Sequence, residues 1–311
     1  NDIITKANKR LLILQKHKYT LTRAALERLY ISMVRPILEY GNILFDNTPE
    51  YMSNQLEHVQ RRAAIICTGA YRLTEYRALL RDLGWDSLKE RRKKNRLCVY
   101  YKIIKGIYPE YLTRIIPPQI SDLSTYNLRN RFDLNLFRAR LESFSSSFFP
   151  HTTKQWNELS LETRNINSFI HFKRIIQDKH PRNQYHILGF SKTGHMLNRV
   201  RMGLSALNYH RYRYNFIQSP SCSLCRNGDE TSEYFFFYCM SLATQRATMY
   251  TKLRDELNYT VVDTNESLNH FPNGLNNKTQ NDKLHRIVTN YMSGRSEERR
   301  VGKECRSRWS P

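Results

Sequence analysis

The chain has 311 residues, 40% of them hydrophobic with 20 Tyr and 14 Phe, which is enough for a sizeable core and argues against wholesale disorder. Fifty basic residues against 28 acidic ones give a formal net charge of +22, which favours polyanionic partners or an anionic membrane surface without specifying a fold. No apolar run approaches the roughly 20 residues of a bilayer span. No charged-then-apolar leader is present, which predicts no secretory signal, and six Cys without dense regular spacing predict a reducing compartment rather than a disulfide scaffold.

Length alone suggests two domains. The opening at Asn1, without Met, reads as the middle of a helix, so a fragment of a longer protein is expected. Between Thr22 and Phe45 the apolar positions Leu26, Leu29, Tyr30, Met33, Val34, Ile37, Leu38, Leu44 and Phe45 recur at helical spacing. Pro36 should kink or divide that helix near Arg35, and Asn47 to Pro49 is turn chemistry. A second helix turns Leu56, Val59, Ala63, Ile66 and Cys67 inward and stops at Gly69, a left-handed cap. After an apolar cluster of Leu79, Leu80, Leu83 and Trp85, Ser87 with Glu90 forms a capping box for a helix running to about Gly106 and Pro109.

Residues 116–125 read as a loop, and 125–140 (TYNLRNRFDLNLFRAR) has the alternation of one or two short strands. Trp156, Phe169 and Phe172 are expected to anchor two helices in the core. A linker is expected over Gln177 to His186. A separate module then follows, with a helix carrying Met196, Leu197, Val200, Leu204 and Leu207, a cysteine-bearing stretch, a helix through Leu253, a loop around Phe271 to Asn277 and a last helix. Residues 295–311 (RSEERRVGKECRSRWSP) look like the in-frame translation of a sequencing-library adapter, so Cys305 and Trp309 are assigned no function. Without that tail the net charge falls from +22 to +19, because it holds six basic and three acidic residues.

Two constellations bear on chemistry. Between Lys89 and Lys105 stand eight basic residues, Lys89, Arg91, Arg92, Lys93, Lys94, Arg96, Lys102 and Lys105, against the single acid Glu90. With Leu97, Tyr100, Tyr101 and Ile104 facing a core, the cationic side is expected in solvent, joined by Arg61 and Arg62 on a neighbouring helix. Such a face would bind phosphates without sequence preference and with strong salt dependence; the plainer alternative is a solvated charged surface. The second constellation is Cys222-x2-Cys225 followed by Cys239, two thiols on a knuckle and a third near a following helix, which suits a structural zinc site. A fourth donor is not fixed by spacing: His210 or water could serve, and the alternative is three reduced, partly buried thiols. Cys67 and Cys98 read as small core residues, and His58 as a surface side chain.

The blocks LYISMVRPILEYGNILFDNTPEYMSNQLEHVQRRAAIICTGAY (29–71), LGWDSLKERR (83–92), SFSSSFFPHTTKQWNELS (143–160) and NSFIHFKRII (167–176) occur in an order that resembles the segment downstream of the polymerase palm in non-LTR retrotransposon reverse transcriptases. The Jockey-like and chicken-repeat-like elements of animals share it. The resemblance covers about 1–176, and more loosely 196–292. It implies a mainly α fold: a helical thumb-like domain (1–116), a connecting region with a few short strands and aromatic-rich helices (117–180), and a small helical module with a Cys knuckle (181–294). Related elements place a His ligand where this chain has Tyr234, so the knuckle is degenerate. The parent enzyme is an RNA-directed DNA polymerase performing target-primed reverse transcription with magnesium held by palm carboxylates. This chain has eleven scattered Asp and no Asp-Asp turn, so it is expected to be inactive alone and to bind no cofactor beyond possible structural zinc. The implied partners are element RNA, target DNA, and the palm and endonuclease regions of the parent polyprotein, with no membrane. The implied location is the nucleus and cytoplasmic ribonucleoprotein. The alternatives are a free-standing nucleic-acid-binding protein co-opted from a mobile element, or a pseudogene product without selected function.

Overall fold

The structure, a computed structural model, describes residues 2–43, 49–123, 126, 129–177, 192–261, 264–273, 275 and 278–293. Leu44, Phe45 and Asn47, most of the expected 177–186 linker, and the 295–311 tail with Cys305 and Trp309 lie outside these residues.

The chain is mainly helical, as its periodicity predicts. In order the helices are α1 (Asp2–Lys16), α2 (Arg23–Leu29), α3 (Arg35–Glu39), α4 (Glu50–Thr68), α5 (Tyr76–Leu83), α6 (Leu88–Ile104), α7 (Glu110–Thr113), α8 (Ile120–Leu123) and α9 (Glu142–Ser145). They continue with α10 (Phe148–Asn157), α11 (Leu161–Arg164), α12 (Phe169–Ile176), α13 (Lys192–Arg201), α14 (Asn208–Arg213), α15 (Ala243–Leu257), α16 (Thr264–Asn273) and α17 (Lys278–Ser293). The expected strands over 125–140 are absent among the described residues. An isolated antiparallel bridge, Gln119 to Leu134, stands in their place. The described residues of that stretch are pinned at Leu134 and mostly exposed.

Local chemistry sets several boundaries. Thr22 caps α2 by accepting from the Ala25 amide at 3.3 Å. Pro36 brings no amide hydrogen to the helix, and the break appears as a π turn at Tyr30–Val34 followed by α3. Ser87 accepts from the Glu90 amide at 3.1 Å and starts α6 as its capping signature predicts. Gly69, at φ 68°, ends α4. A side chain there would also collide with His195, since a β-carbon would stand 2.3 Å from its Nδ1.

The chain forms two compact units. The first contains residues 1–8, 33–60 and 85–180; the second contains 9–32, 61–84 and 181–311. The thumb-like span 1–116 therefore contributes to both.

The first unit is built round α6, α10 and α12. Leu97, Cys98, Tyr100, Tyr101, Leu134, Trp156 and Phe172 are buried together, with Phe169 packed against them. Tyr101 stacks on Phe172 at 4.3 Å between ring centroids, and Tyr100 meets Trp156 at 5.7 Å. Each phenol has a partner: Tyr100 pairs with the Thr153 hydroxyl at 2.6 Å, and Tyr101 donates to the Ile166 carbonyl at 2.8 Å.

The second unit packs α13, α15, α16 and α17 around Leu197, Phe235, Phe236, Leu253, Phe271 and Leu284. The helix expected through Leu207 stops at Arg201, where Gly203 takes φ 70°, yet Leu204 and Leu207 stay buried on the turn. Phe271, expected in a loop, is fully buried within α16, because three aromatic rings, Phe236, Phe237 and Tyr259, surround it. Asp82 holds two guanidinium groups inside this unit, Arg23 at 2.8 Å and Arg201, while Arg23 also pairs with Glu27 at 2.9 Å.

Candidate metal centre and basic surface

The knuckle is a tight loop closed by backbone pairing. Ser221 and Asp229 form an antiparallel bridge, the Cys222 amide donates to the Gly228 carbonyl at 2.8 Å, and the Arg226 amide donates to the Cys222 carbonyl at 2.9 Å. Arg226 accepts a left-handed backbone, φ 60°, to make the turn. A π turn, Tyr234–Tyr238, then delivers Cys239, whose amide donates to the Tyr234 carbonyl at 2.9 Å and whose carbonyl accepts from Arg246 at 2.8 Å.

These devices bring together three residues that the spacing nominated. The ligand atoms of Cys222, Cys225 and Cys239 lie within 4.8 Å of one another, a group that could hold a metal ion. The Cys222–Cys239 sulfurs are 3.8 Å apart and the Cys239–Cys225 pair 3.7 Å, and all three cysteines are free thiols. Cys222 and Cys239 are buried; Cys225 is half-buried.

Tyr234 occupies the space beside the trio. Its hydroxyl lies 3.0 Å from the Cys225 sulfur, and its ring packs on Gly228, where a β-carbon would stand 2.7 Å from Tyr234 Cε2. Donation from that hydroxyl, helped by the Asn227 amide, holds the Cys225 thiol down to about 7. Burial pushes Cys222 up to about 12, and Cys239 is raised by burial as well. Hydrogen bonding to Cys225 in turn raises the Tyr234 phenol to about 12. Cys225 is thus the most readily ionised of the three.

His210 does not join the group. Its Nδ1 accepts from the Ser205 amide at 3.2 Å, and burial with nearby Arg213 lowers its pKa to about 4. A neighbour that no spacing signal announces is Glu230, fully buried, which accepts from the Asn208 amide at 2.8 Å and lies 3.8 Å from the Cys222 sulfur.

The basic run on α6 is not the open cationic face that its composition suggests. Arg91 forms a bidentate pair with Glu39, and Lys94 meets Asp86 at 3.0 Å. Arg92 is buried and donates to Ser53 at 2.5 Å; Arg96, 3% exposed, donates to Gln155 at 2.9 Å. Burial lowers the pKa of both, that of Arg96 to about 10. Lys93 sits 3.6 Å from Glu158 at the surface. Lys102 and Lys105 lie over aromatic rings, Lys102 4.3 Å from the Phe169 centroid. Arg61 donates to the carbonyls of Arg72 and Thr74, each at 3.1 Å. Lys89 and Arg62 are exposed. The physical reason is geometric: α6 is covered on more than one side, so guanidinium groups on its flanks reach carboxylates and amides of the same unit rather than water.

No protein-family model, curated protein or solved structure matches the chain. Among the described residues no helix is long and apolar enough to cross a membrane.

Proposed function

We propose that this chain is the non-catalytic C-terminal part of a non-LTR retrotransposon reverse transcriptase, and that it grips template RNA and RNA–DNA duplex through sequence-independent phosphate contacts. The formal charge, +22 for the chain and +19 without residues 295–311, carries this reading. The order of the sequence blocks supports the parentage. Exposed cations suited to phosphates include Lys6, Lys9, Arg10 and Lys16 on α1, Arg62 on α4 and Lys89 on α6. Each phosphate neutralised by such a side chain releases condensed counterions, which drives association at low salt. Polymerisation and its magnesium belong to the palm of the parent protein. Target DNA and the endonuclease region meet the chain in the same particle, in the nucleus and in cytoplasmic ribonucleoprotein.

The knuckle, in this reading, is a structural zinc site held by Cys222, Cys225 and Cys239. Two sulfurs each about 2.3 Å from a tetrahedral zinc stand about 3.8 Å apart, and two of the sulfur pairs are at 3.7 and 3.8 Å. Zinc there would add folding energy to the second unit.

Anisotropy of a labelled RNA–DNA duplex titrated with the full chain across a salt series tests the main claim. The logarithm of the affinity should fall linearly with log salt, and Lys89→Gln with Arg62→Gln should reduce the slope by about 0.9 for each phosphate left without its cation. No binding at low salt, or a slope near zero, refutes it.

A further inference from the structure

Apart from Leu134, the described residues Tyr126 and 129–141 belong neither to the core nor to the phosphate-binding residues named above. This segment carries Arg129, Arg131, Arg138 and Arg140, all exposed, with Tyr126 79% exposed and Phe132 43% exposed. Its one acidic residue, Asp133, is held by Arg164 at 2.8 Å, so the arginines dominate the local charge.

The middle of the segment is anchored firmly. Asn157 grips Leu134 from both sides, donating to its carbonyl at 2.8 Å and accepting from its amide at 3.0 Å. The Ile120 amide donates to the Asp133 carbonyl at 2.9 Å, and the Asn135 amide to the Pro118 carbonyl at 2.9 Å. Leu134 itself is buried in the core of the first unit. A turn fixed in this way presents Phe132 outward, with the Arg131 guanidinium 4.5 Å from its ring centroid. An exposed aromatic ring with a cation over it is poorly explained as packing. It is well suited to a base, whose π face stacks on the ring while neighbouring arginines meet the phosphates.

We infer that Tyr126 and 129–141 form a contact for an unpaired nucleic-acid strand, with bases stacking on Phe132 and Tyr126 and with Arg129, Arg138 and Arg140 tracking the backbone. This rests on the nucleic-acid reading above and adds the class of ligand and its place. Unpaired strand is favoured over duplex because paired bases are already stacked and offer side chains only their edges and phosphates. It is favoured over a protein partner because the segment combines concentrated positive charge with rings held clear of the core.

The full chain is titrated into labelled oligo(dT) and oligo(U), and separately into an RNA–DNA duplex of the same length. Phe132→Leu keeps an apolar side chain but removes the ring; it should weaken single-strand binding about 5- to 100-fold while duplex affinity changes less than about twofold. Tyr126→Leu, away from the anchored turn, should act in the same direction and serves if Phe132→Leu unfolds the protein. Arg138→Gln with Arg140→Gln should lower the single-strand salt slope by about 0.7 for each phosphate these arginines had neutralised. Unchanged single-strand binding in these variants, or equal weakening on strand and duplex, overturns this inference alone. A chain that binds neither probe overturns it together with the nucleic-acid function.

Discussion

Zinc binding at the knuckle offers the sharpest test of the second unit. Two of the three sulfur pairs already stand at the spacing a tetrahedral ion would impose, and all three ligand atoms lie within 4.8 Å of one another. Tyr234 is a poor fourth ligand on the same geometry. Oxygen and sulfur bound to one zinc, at about 2.0 and 2.3 Å, would stand about 3.5 Å apart, whereas the Tyr234 oxygen is 3.0 Å from Cys225, a hydrogen-bonding distance. The expected coordination is three thiolates and a water. The Cys225 thiol is held down to about 7, while burial pushes Cys222 up to about 12 and raises Cys239. Loading therefore displaces thiol protons, and affinity should rise with pH. Metal analysis of the purified chain, cobalt substitution read by its thiolate charge-transfer band, and competition with a chelator at several pH values measure each point. Cys239→Ser should abolish tight binding; Tyr234→Phe should leave one metal per chain. Zinc below about a tenth of stoichiometric, or an affinity indifferent to Cys239→Ser, would show that the trio is a set of packed thiols with no metal function.

Acid should weaken the second unit. His195, His210 and His285 are each lowered to about 4, chiefly by burial, with Arg199, Arg213 and Arg201 respectively adding repulsion. Folded values below the unfolded value of about 6.5 mean that the unfolded chain binds more protons; the stability is fully present above pH 6.5 and is lost as pH falls towards 4, about 3 kcal/mol for the well-buried His210. Urea midpoints at pH 7, 5 and 4 check this, and a midpoint that does not move would contradict it. Asp82→Asn should destabilise the same unit by about 3–5 kcal/mol, because Arg23 and Arg201 would be left in a buried site without their shared carboxylate. Thermal unfolding reads the loss, and a cost under about 1 kcal/mol would mean that the guanidinium groups find other partners.

Much of the helical order was legible because it rests on short-range chemistry. The Ser87 cap, the Pro36 break and the Gly69 stop depend on a few neighbouring atoms, and each appears where its residue type puts it. Trp156 and Phe172 were legible as core because large rings at helical spacing have few other uses. The cysteine trio was legible from its spacing. Its surroundings were not: Glu230 and Arg246 enter through tertiary folding, and the Tyr234 hydroxyl reaches Cys225 only because a π turn swings the ring over Gly228.

The α6 run shows where composition misleads. Charge counted along a sequence carries no sign of what faces it across the fold, and here Glu39, Asp86 and Gln155 arrive from segments far along the chain or from its flanks. A guanidinium already held by a carboxylate cannot meet a phosphate without leaving the carboxylate unpaired, so its contribution to affinity is reduced by the cost of breaking the first pairing. Arg91, Arg92, Lys94 and Arg96 therefore act mainly in stability, and their substitution would loosen the first unit before it altered any salt slope. The phosphate contacts must come from cations exposed to solvent, Lys89 among those the sequence picked out, with Arg129, Arg138 and Arg140 on the segment whose alternation suggested strands. Nucleic-acid affinity and fold stability should consequently separate by residue: substituting the exposed set weakens binding at unchanged melting temperature, and substituting the paired set does the reverse.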